Sequence, residues 1–179
     1  LKVMEEPPEG VLFLLTADSL AGVLPTIRSR CVSFAIAPVS PADCARYCTA
    51  HGVDKKTAAL YSELFDGHIG TVLTAARDKA RTEQVDKAME LARAAQAGDS
   101  YTAAVLLAPY EKDKAGAAAL LRDLRAVAAA GLQGSPHAPV QGQQAQRTLR
   151  LAEAAIQRLG AQVNPKIVLT VFAARLAHA

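Results

Sequence analysis

Apolar and polar residues follow one pattern up to about residue 38 and another pattern after it. The runs 11–16 and 31–35 are short, largely apolar and β-prone, and the first follows the turn signal Pro7-Pro8-Glu9-Gly10. Such runs are typical of strands that are buried in a parallel sheet. Because two strands cannot form a stable sheet alone, we expect their partners to lie in an N-terminal region missing from this sequence or in another chain. The sequence is thus expected to be a fragment.

Beyond residue 38 the apolar residues recur at helical spacing, and capping and breaking residues mark where helices begin and end. Three helices are predicted to begin at Ser40-Pro41, Asp54 and Ile69. Further helices are predicted over 84–96, 101–107, 114–130 and 144–159, and a last helix is predicted to begin at Asn164-Pro165. Gly67 is predicted to stop the second helix, and the third is predicted to end near Ala80. The segment from Gly131 to Gly142 is rich in glycine and proline and is predicted to be the clearest mobile loop of the chain.

The composition favours a mainly α fold. Hydrophobic residues make up 51% of the chain and aromatic residues only 4%, with no tryptophan, so the core must be built from Ala, Leu, Val and Ile in closely packed helices. The high apolar content and the net charge of only +3 exclude a disordered chain, and this charge is too small to indicate nucleic-acid binding. No apolar stretch is long enough to span a membrane. Three cysteines are too few for a disulfide framework, so a cytoplasmic protein is expected.

The first 35 residues contain three blocks that carry the candidate chemistry. These are Leu1-Lys2-Val3-Met4-Glu5-Glu6-Pro7-Pro8, the apolar run that ends at Thr16, and Leu24-Pro25-Thr26-Ile27-Arg28-Ser29-Arg30-Cys31. In order and spacing they resemble the AAA+ core of clamp-loader subunits, with its LEEPP helix end, its sensor-1 strand and its Ser-Arg-Cys motif. The resemblance covers the N-terminal third well, whereas the remaining helices agree in order and number but carry weaker motifs.

The resemblance implies that Arg30 is an arginine finger acting in trans, within a motif that includes Ser29 and Cys31. An arginine on an exposed turn offers five N–H donors in a planar fork. Held against a neighbouring subunit, it could reach that subunit's γ-phosphate and stabilise the charge that develops during phosphoryl transfer. The alternative is a surface arginine that pairs with a local acid. Thr16 occupies the sensor-1 position, where its hydroxyl could contact a phosphate; the favoured interpretation is a vestigial residue that closes a strand.

Gly70 indicates one class within this family. In ATP-hydrolysing clamp-loader subunits, the third helix of the lid opens with Gly-x-x-Arg, and this arginine, sensor 2, reaches the nucleotide. The matching segment here is Gly67-His68-Ile69-Gly70, and glycine has neither charge nor a side-chain donor. The chain therefore resembles the non-hydrolysing delta-prime class of bacterial DNA polymerase III subunits. The alternatives are a gamma/tau-type ATPase subunit and, from another class of function, a helical protein-interaction module.

The resemblance also implies a mainly α architecture in three parts. Residues 1–37 would be the C-terminal end of an AAA+ nucleotide-fold domain, 38–82 its helical lid, and 83–179 a helical collar for oligomerisation. The implied function is that of a stator in a heteropentamer with gamma/tau and delta subunits, which loads the sliding clamp on primed DNA. The sequence has no Gly-x-x-x-x-Gly-Lys-Ser/Thr loop, and ATP is expected only at a neighbouring subunit. The fragment itself would not be catalytic, although it would belong to a holoenzyme that is a nucleotidyltransferase, a DNA-directed DNA polymerase.

Other candidate sites are weak. Cys44 and Cys48 lie one helical turn apart, but together with His51 they offer zinc at most three ligands, so no metal site is expected. The remaining histidines, His68, His137 and His178, are scattered near predicted helix ends and loops, so no catalytic base is expected. Glu5 and Glu6, at the end of the first block, are interpreted as solvated residues.

Overall fold

The structure is a computed structural model of the chain, and it describes residues 2–17, 19–37, 39–161 and 163–177. Within these ranges the regular secondary structure is helical, with no β-strand, which confirms the predicted mainly α fold. The chain divides into two compact units, Leu1–Ala37 and Pro38–Ala179. His178, named above among the scattered histidines, lies outside the described residues.

The first unit contains only short helical elements: α1 (Lys2–Glu5), a 3₁₀ turn (Leu20–Gly22) and α2 (Pro25–Arg28). The prediction of strands at 11–16 and 31–35 is wrong, because no backbone ladder joins these segments to any described residue. A strand is stable only when neighbouring strands pair with its N–H and C=O groups. Without such pairing the apolar side chains stay exposed, with Leu12 at 89% and Leu14 at 87% of full exposure.

The second unit begins with three short helices, α3 (Pro41–Ala50), α4 (Lys55–Leu64) and α5 (Ile69–Arg77). The predicted caps of the first two are confirmed. The Ser40 hydroxyl accepts a hydrogen bond from the Asp43 amide at 3.1 Å. The Asp54 carboxylate accepts from the amides of Lys56 and Thr57, and the Thr57 bond is the main reason that the pKa of Asp54 lies below its ordinary value. These bonds satisfy N–H groups that the start of a helix leaves unpaired.

The turn between α4 and α5 requires a glycine. Gly67 has a φ of +73°, and a Cβ atom at this position would lie 1.7 Å from the carbonyl oxygen of Val39. Both the left-handed backbone and the close approach of the segment that enters α3 therefore exclude a larger residue. The predicted helix stop at Gly67 is confirmed.

The next helix boundary differs from the prediction. The sequence predicts helices over 69–80 and 84–96, whereas α5 ends just before Asp78 and α6 runs without a break over Lys79–Ala97. Asp78 causes this difference, because its extended backbone (φ −96°, ψ 113°) interrupts the helix while its carboxylate caps the first turn of α6. The proposed boundary between 82 and 83 thus lies inside α6, and the division into a lid and a collar stays a prediction.

The rest of the second unit is a bundle of longer helices. They are α7 (Ser100–Leu107), a 3₁₀ turn (Ala108–Tyr110), α8 (Lys114–Leu132), α9 (Gly142–Gly160) and α10 (Pro165–Ala177). α8 packs against α6 and α9, and α10 packs against α7 and α9. The predicted stripe of α6 is buried, namely Val85, Ala88, Met89, Ala92 and Ala95. On α10, Val168 and Phe172 are buried within the chain, whereas Val171 is exposed. Apolar burial of this kind is the main driving force for the packing.

The loop between α8 and α9 is part of this packed body. It buries Ala138 and Val140 completely or almost completely. The Ser135 hydroxyl in the same loop donates a hydrogen bond to the Glu63 carboxylate on α4. The loop therefore connects the short helices at the start of the second unit with the longer helices that follow.

A buried polar cluster joins α6 to α8. The Asp123 carboxylate on α8, 7% exposed, accepts hydrogen bonds from both terminal nitrogens of Arg81 and, at 2.6 Å, from the Gln84 side-chain amide. The Arg81 guanidinium also lies 5.7 Å from the centre of the Phe65 ring, at the end of α4. The hydrogen bond to Asp123 is the main reason that the pKa of Arg81 is raised. This Asp123 cluster fixes α4, α6 and α8 relative to one another.

We expect Asp123→Asn to lower the free energy of unfolding by about 2 kcal/mol, because a neutral amide leaves a partly buried guanidinium without its counter-charge. Urea unfolding followed by circular dichroism measures this change. Glu90→Gln, which neutralises an exposed carboxylate on α6, is the matched control and should shift stability by less than about 0.5 kcal/mol. Equal stability of the two variants would contradict the role given to the cluster.

Candidate functional site

The candidate site lies at the turn that follows α2. Pro25 occupies the first turn of α2, where its fixed φ suits a helix start. The chain then leaves the helix through a turn in which the Arg30 amide bonds to the Ile27 carbonyl at 3.0 Å. Ser29 and Arg30 are exposed at this turn, and Cys31 is half-buried. The predicted exposed turn at the Ser-Arg-Cys motif is confirmed, although no strand follows it.

The guanidinium of Arg30 is held by three groups of the first unit. Its Nε and Nη2 atoms both donate to Oε1 of Glu5, in an ion pair that spans 25 sequence positions. Its Nη1 atom donates to the Thr26 carbonyl oxygen at 2.7 Å and lies 3.4 Å from the Ser29 hydroxyl. The Arg30 side chain is 32% exposed and that of Glu5 is 44% exposed. The pair therefore lies at the surface and not in an apolar interior.

This ion pair fits the alternative interpretation of Arg30, a surface arginine with a local acidic partner. Glu5 is exposed to solvent, as predicted, but it also forms this ion pair, which the prediction did not include. The only indication of this ion pair in the sequence was that the first and third blocks carry opposite charges. The spacing of the blocks does not indicate that α1 and the turn after α2 are in contact. Exposed ion pairs contribute only about 0 to 1 kcal/mol, so this pair leaves Arg30 able to make further contacts. The role of Arg30 as a finger stays a prediction.

The other predicted site residues differ in how close they come to Arg30. The Ser29 hydroxyl donates to the same Thr26 carbonyl at 3.2 Å, which places it beside the guanidinium. Thr16 is exposed, and no hydrogen bond among the described residues joins it to Arg30. An open depression beside α2 is lined by Leu20, Pro25, Arg28, Ser29 and Ser33. The structure thus brings Ser29 and Arg30 together and does not link Thr16 to them.

Gly70 lies in the first turn of α5, and its surroundings do not require a glycine. It is exposed, its φ is not in the left-handed region, and a Cβ atom there would meet nothing within 4 Å. Gly67, three residues earlier, differs in both respects, because its left-handed backbone and the nearby Val39 carbonyl both require a glycine. The backbone and the space around the Cβ position would therefore accept a residue other than glycine at position 70.

Cys44 and Cys48 do not form a reactive or metal-binding site. Cys44 and Cys48 are both fully buried on α3, and burial, assisted by the neighbouring Cys44, raises the pKa of the Cys48 thiol to about 11. A protonated buried thiol is neither a nucleophile nor a metal ligand. Within the described ranges, no three His, Cys, Asp or Glu side chains are grouped so that they could hold a metal ion. None of the helices in the described part of the chain is long and apolar enough to cross a membrane.

Comparison with known proteins gives one match. The family model described as DNA polymerase III, delta subunit, matches residues 1–40 of the 179 residues. No curated protein and no solved structure matched the chain significantly. The matched segment contains the Glu5–Arg30 ion pair and the Ser-Arg-Cys motif. The match supports a relationship of this segment to the clamp-loader subunits of DNA polymerase III, and it does not distinguish one subunit from another.

We expect a thiol reagent such as DTNB to modify Cys31 rapidly in the folded chain and to reach Cys44 and Cys48 only after unfolding. Cys31 is half-buried, whereas the other two thiols are inaccessible, and access limits thiol modification. Absorbance of the released thiolate counts the thiols with and without guanidinium chloride. Cys31→Ser should remove the fast phase completely, and fast reaction of all three cysteines would show that α3 is not packed as described.

Proposed function

We propose that this chain belongs to a delta-prime-like subunit of the bacterial DNA polymerase III clamp loader, which helps to load the sliding clamp on primed DNA. The single observation that carries the clamp-loader assignment is the family match over residues 1–40, because this segment contains all three of the sequence blocks that resemble a clamp-loader core. The delta-prime class is inferred from Gly70. The compartment proposed with this function is the bacterial cytoplasm.

The proposed chemical role is that of Arg30 as an arginine finger in trans. The side chain is about one-third exposed and sits on a turn at the surface of its unit, from which a guanidinium could contact a group on another subunit. Positive charge and directed N–H donors at a γ-phosphate stabilise the transition state of phosphoryl transfer. ATP would be bound by the neighbouring subunit, and the step that Arg30 assists would take place there.

The proposed partner set is a heteropentamer with gamma/tau and delta subunits, in which this chain acts as a stator. Gly70 supports the non-hydrolysing role, since its surroundings do not require a glycine and it provides no side-chain group that could contact a nucleotide. The helical unit over 38–179 would supply the lid and the collar through which the subunits assemble.

We expect Arg30→Ala in the intact protein to leave assembly with gamma/tau and delta intact, and to reduce ATP hydrolysis stimulated by clamp and primed DNA. At the site that Arg30 faces, the rate should fall by about tenfold or more, because one transition-state donor and its charge are lost. Arg28→Ala is the charge-matched control, since Arg28 is exposed at the end of α2, two residues before Arg30. Unchanged hydrolysis in Arg30→Ala would remove the finger assignment.

We also expect the intact protein, purified alone, to hydrolyse no ATP, because position 70 has no arginine to act as sensor 2. A coupled phosphate-release assay measures this, with the gamma/tau subunit as the positive control. Micromolar ATP binding together with hydrolysis by the isolated protein would favour a gamma/tau-type ATPase. Failure to co-purify with gamma/tau and delta would instead favour a helical interaction module.

A further inference from the structure

We propose that Glu5 is the positioning residue for Arg30: it holds the Nε–Nη2 edge of the guanidinium so that the Nη1–Nη2 end is directed toward a phosphate of the neighbouring subunit. This inference rests on the proposed function of Arg30 as a finger. It assigns a role to a carboxylate whose sequence context suggested only solvation. The geometry that carries it is the pairing of two guanidinium nitrogens with a single carboxylate oxygen.

The hydrogen-bond inventory of the guanidinium leaves room for a ligand. Arginine has five N–H groups, and Glu5 takes the one on Nε and one of the two on Nη2. The Thr26 carbonyl takes one on Nη1 at 2.7 Å. The second hydrogen of Nη2 and the second hydrogen of Nη1 remain, and the latter has only the long 3.4 Å contact with the Ser29 hydroxyl. A phosphate oxygen is a stronger acceptor than a neutral hydroxyl, so it could replace that contact without displacing Glu5.

The orientation of Arg30 has no support from an apolar core. None of the residues in α1, the 3₁₀ turn or α2 is buried. The side-chain bonds made by Ser29 are local, since they reach back only to Thr26. Among the described residues of the first unit, Glu5 provides the one side-chain hydrogen bond to Arg30 from a distant part of the sequence. The ion pair thereby restricts the long, flexible side chain of Arg30 before it contacts a nucleotide. Such preorganisation increases a rate, because less conformational entropy is lost in the transition state.

A carboxylate in this position also has a cost, which gives the inference a specific signature. The negative charge of Glu5 partly offsets the positive charge that the finger would bring to the phosphate. Glutamine keeps an acceptor oxygen of the same reach but has no charge. Glu5→Gln should therefore retain the orientation and most of the rate, whereas Glu5→Ala should lose the orientation.

The test uses the intact protein assembled with its gamma/tau and delta subunits, and compares Glu5→Ala, Glu5→Gln, Arg30→Ala and the double variant Glu5→Ala/Arg30→Ala. Glu6→Ala is the matched control, because Glu6 is the adjacent exposed acid. The readouts are kcat and KM for ATP with clamp and primed DNA, and assembly by size-exclusion chromatography. We expect Glu5→Ala to lower kcat by about three- to tenfold with KM and assembly unchanged. Glu5→Gln and Glu6→Ala should stay within about twofold of the wild type, and the double variant should be no slower than Arg30→Ala.

The outcomes separate this inference from the function on which it rests. If Arg30→Ala is slow but Glu5→Ala equals or exceeds the wild type, the positioning role is wrong and the finger stands. If Glu5→Ala slows the Arg30→Ala enzyme further, Glu5 acts through the structure and not through Arg30, and the inference is again overturned. If Arg30→Ala has no effect, the proposed function fails, and the positioning role fails with it.

Discussion

The guanidinium of Arg30 contacts side-chain and backbone groups from two parts of the first unit. Glu5 approaches from the end of α1, while Thr26 and Ser29 belong to α2 and the turn after it. Because the helical elements of this unit bury no residue, the arrangement of the motif depends on these polar contacts and on backbone turns. An exposed ion pair is a weak determinant of stability, but it can still determine the direction in which a flexible side chain points.

The second unit, in contrast, is stabilised mainly by the packing of apolar side chains. Alanine is the most frequent residue of its buried core, and such small side chains allow helix backbones to approach closely. Gly131, at the end of α8, allows a similarly close approach, because a Cβ atom there would lie 1.9 Å from the Val140 carbonyl oxygen. Close-packed interiors of this kind tolerate little change in shape. The Asp123 cluster adds directional polar contacts to a core that is held mainly by non-directional burial.

A structural feature could be predicted from the sequence when the residues that form it are close together along the chain. Caps at Ser40 and Asp54 were predictable, because a cap involves residues within three positions of one another. The helix boundary at Asp78 was not predicted, because the helical spacing of apolar residues continues from one side of Asp78 to the other. The strands were mispredicted because apolar runs report a tendency to be buried, whereas strand formation needs a partner that the described residues do not supply. The ion pair of Glu5 and Arg30 could not be predicted, since no sequence rule places residues 25 positions apart.

The local pairing of Arg30 with Glu5 is compatible with the proposed role of Arg30 as a finger for another subunit. A guanidinium has a side edge, Nε and Nη2, and an end, Nη1 and Nη2. Glu5 occupies the first, and binding in trans would use the second. Gly70 complements this argument, because a glycine in a helix where nothing requires it is costly relative to alanine and leaves the chain without a cation at that position. In the proposed function, these two features act together: no arginine is needed at position 70, and the oriented Arg30 would assist hydrolysis on a neighbouring subunit.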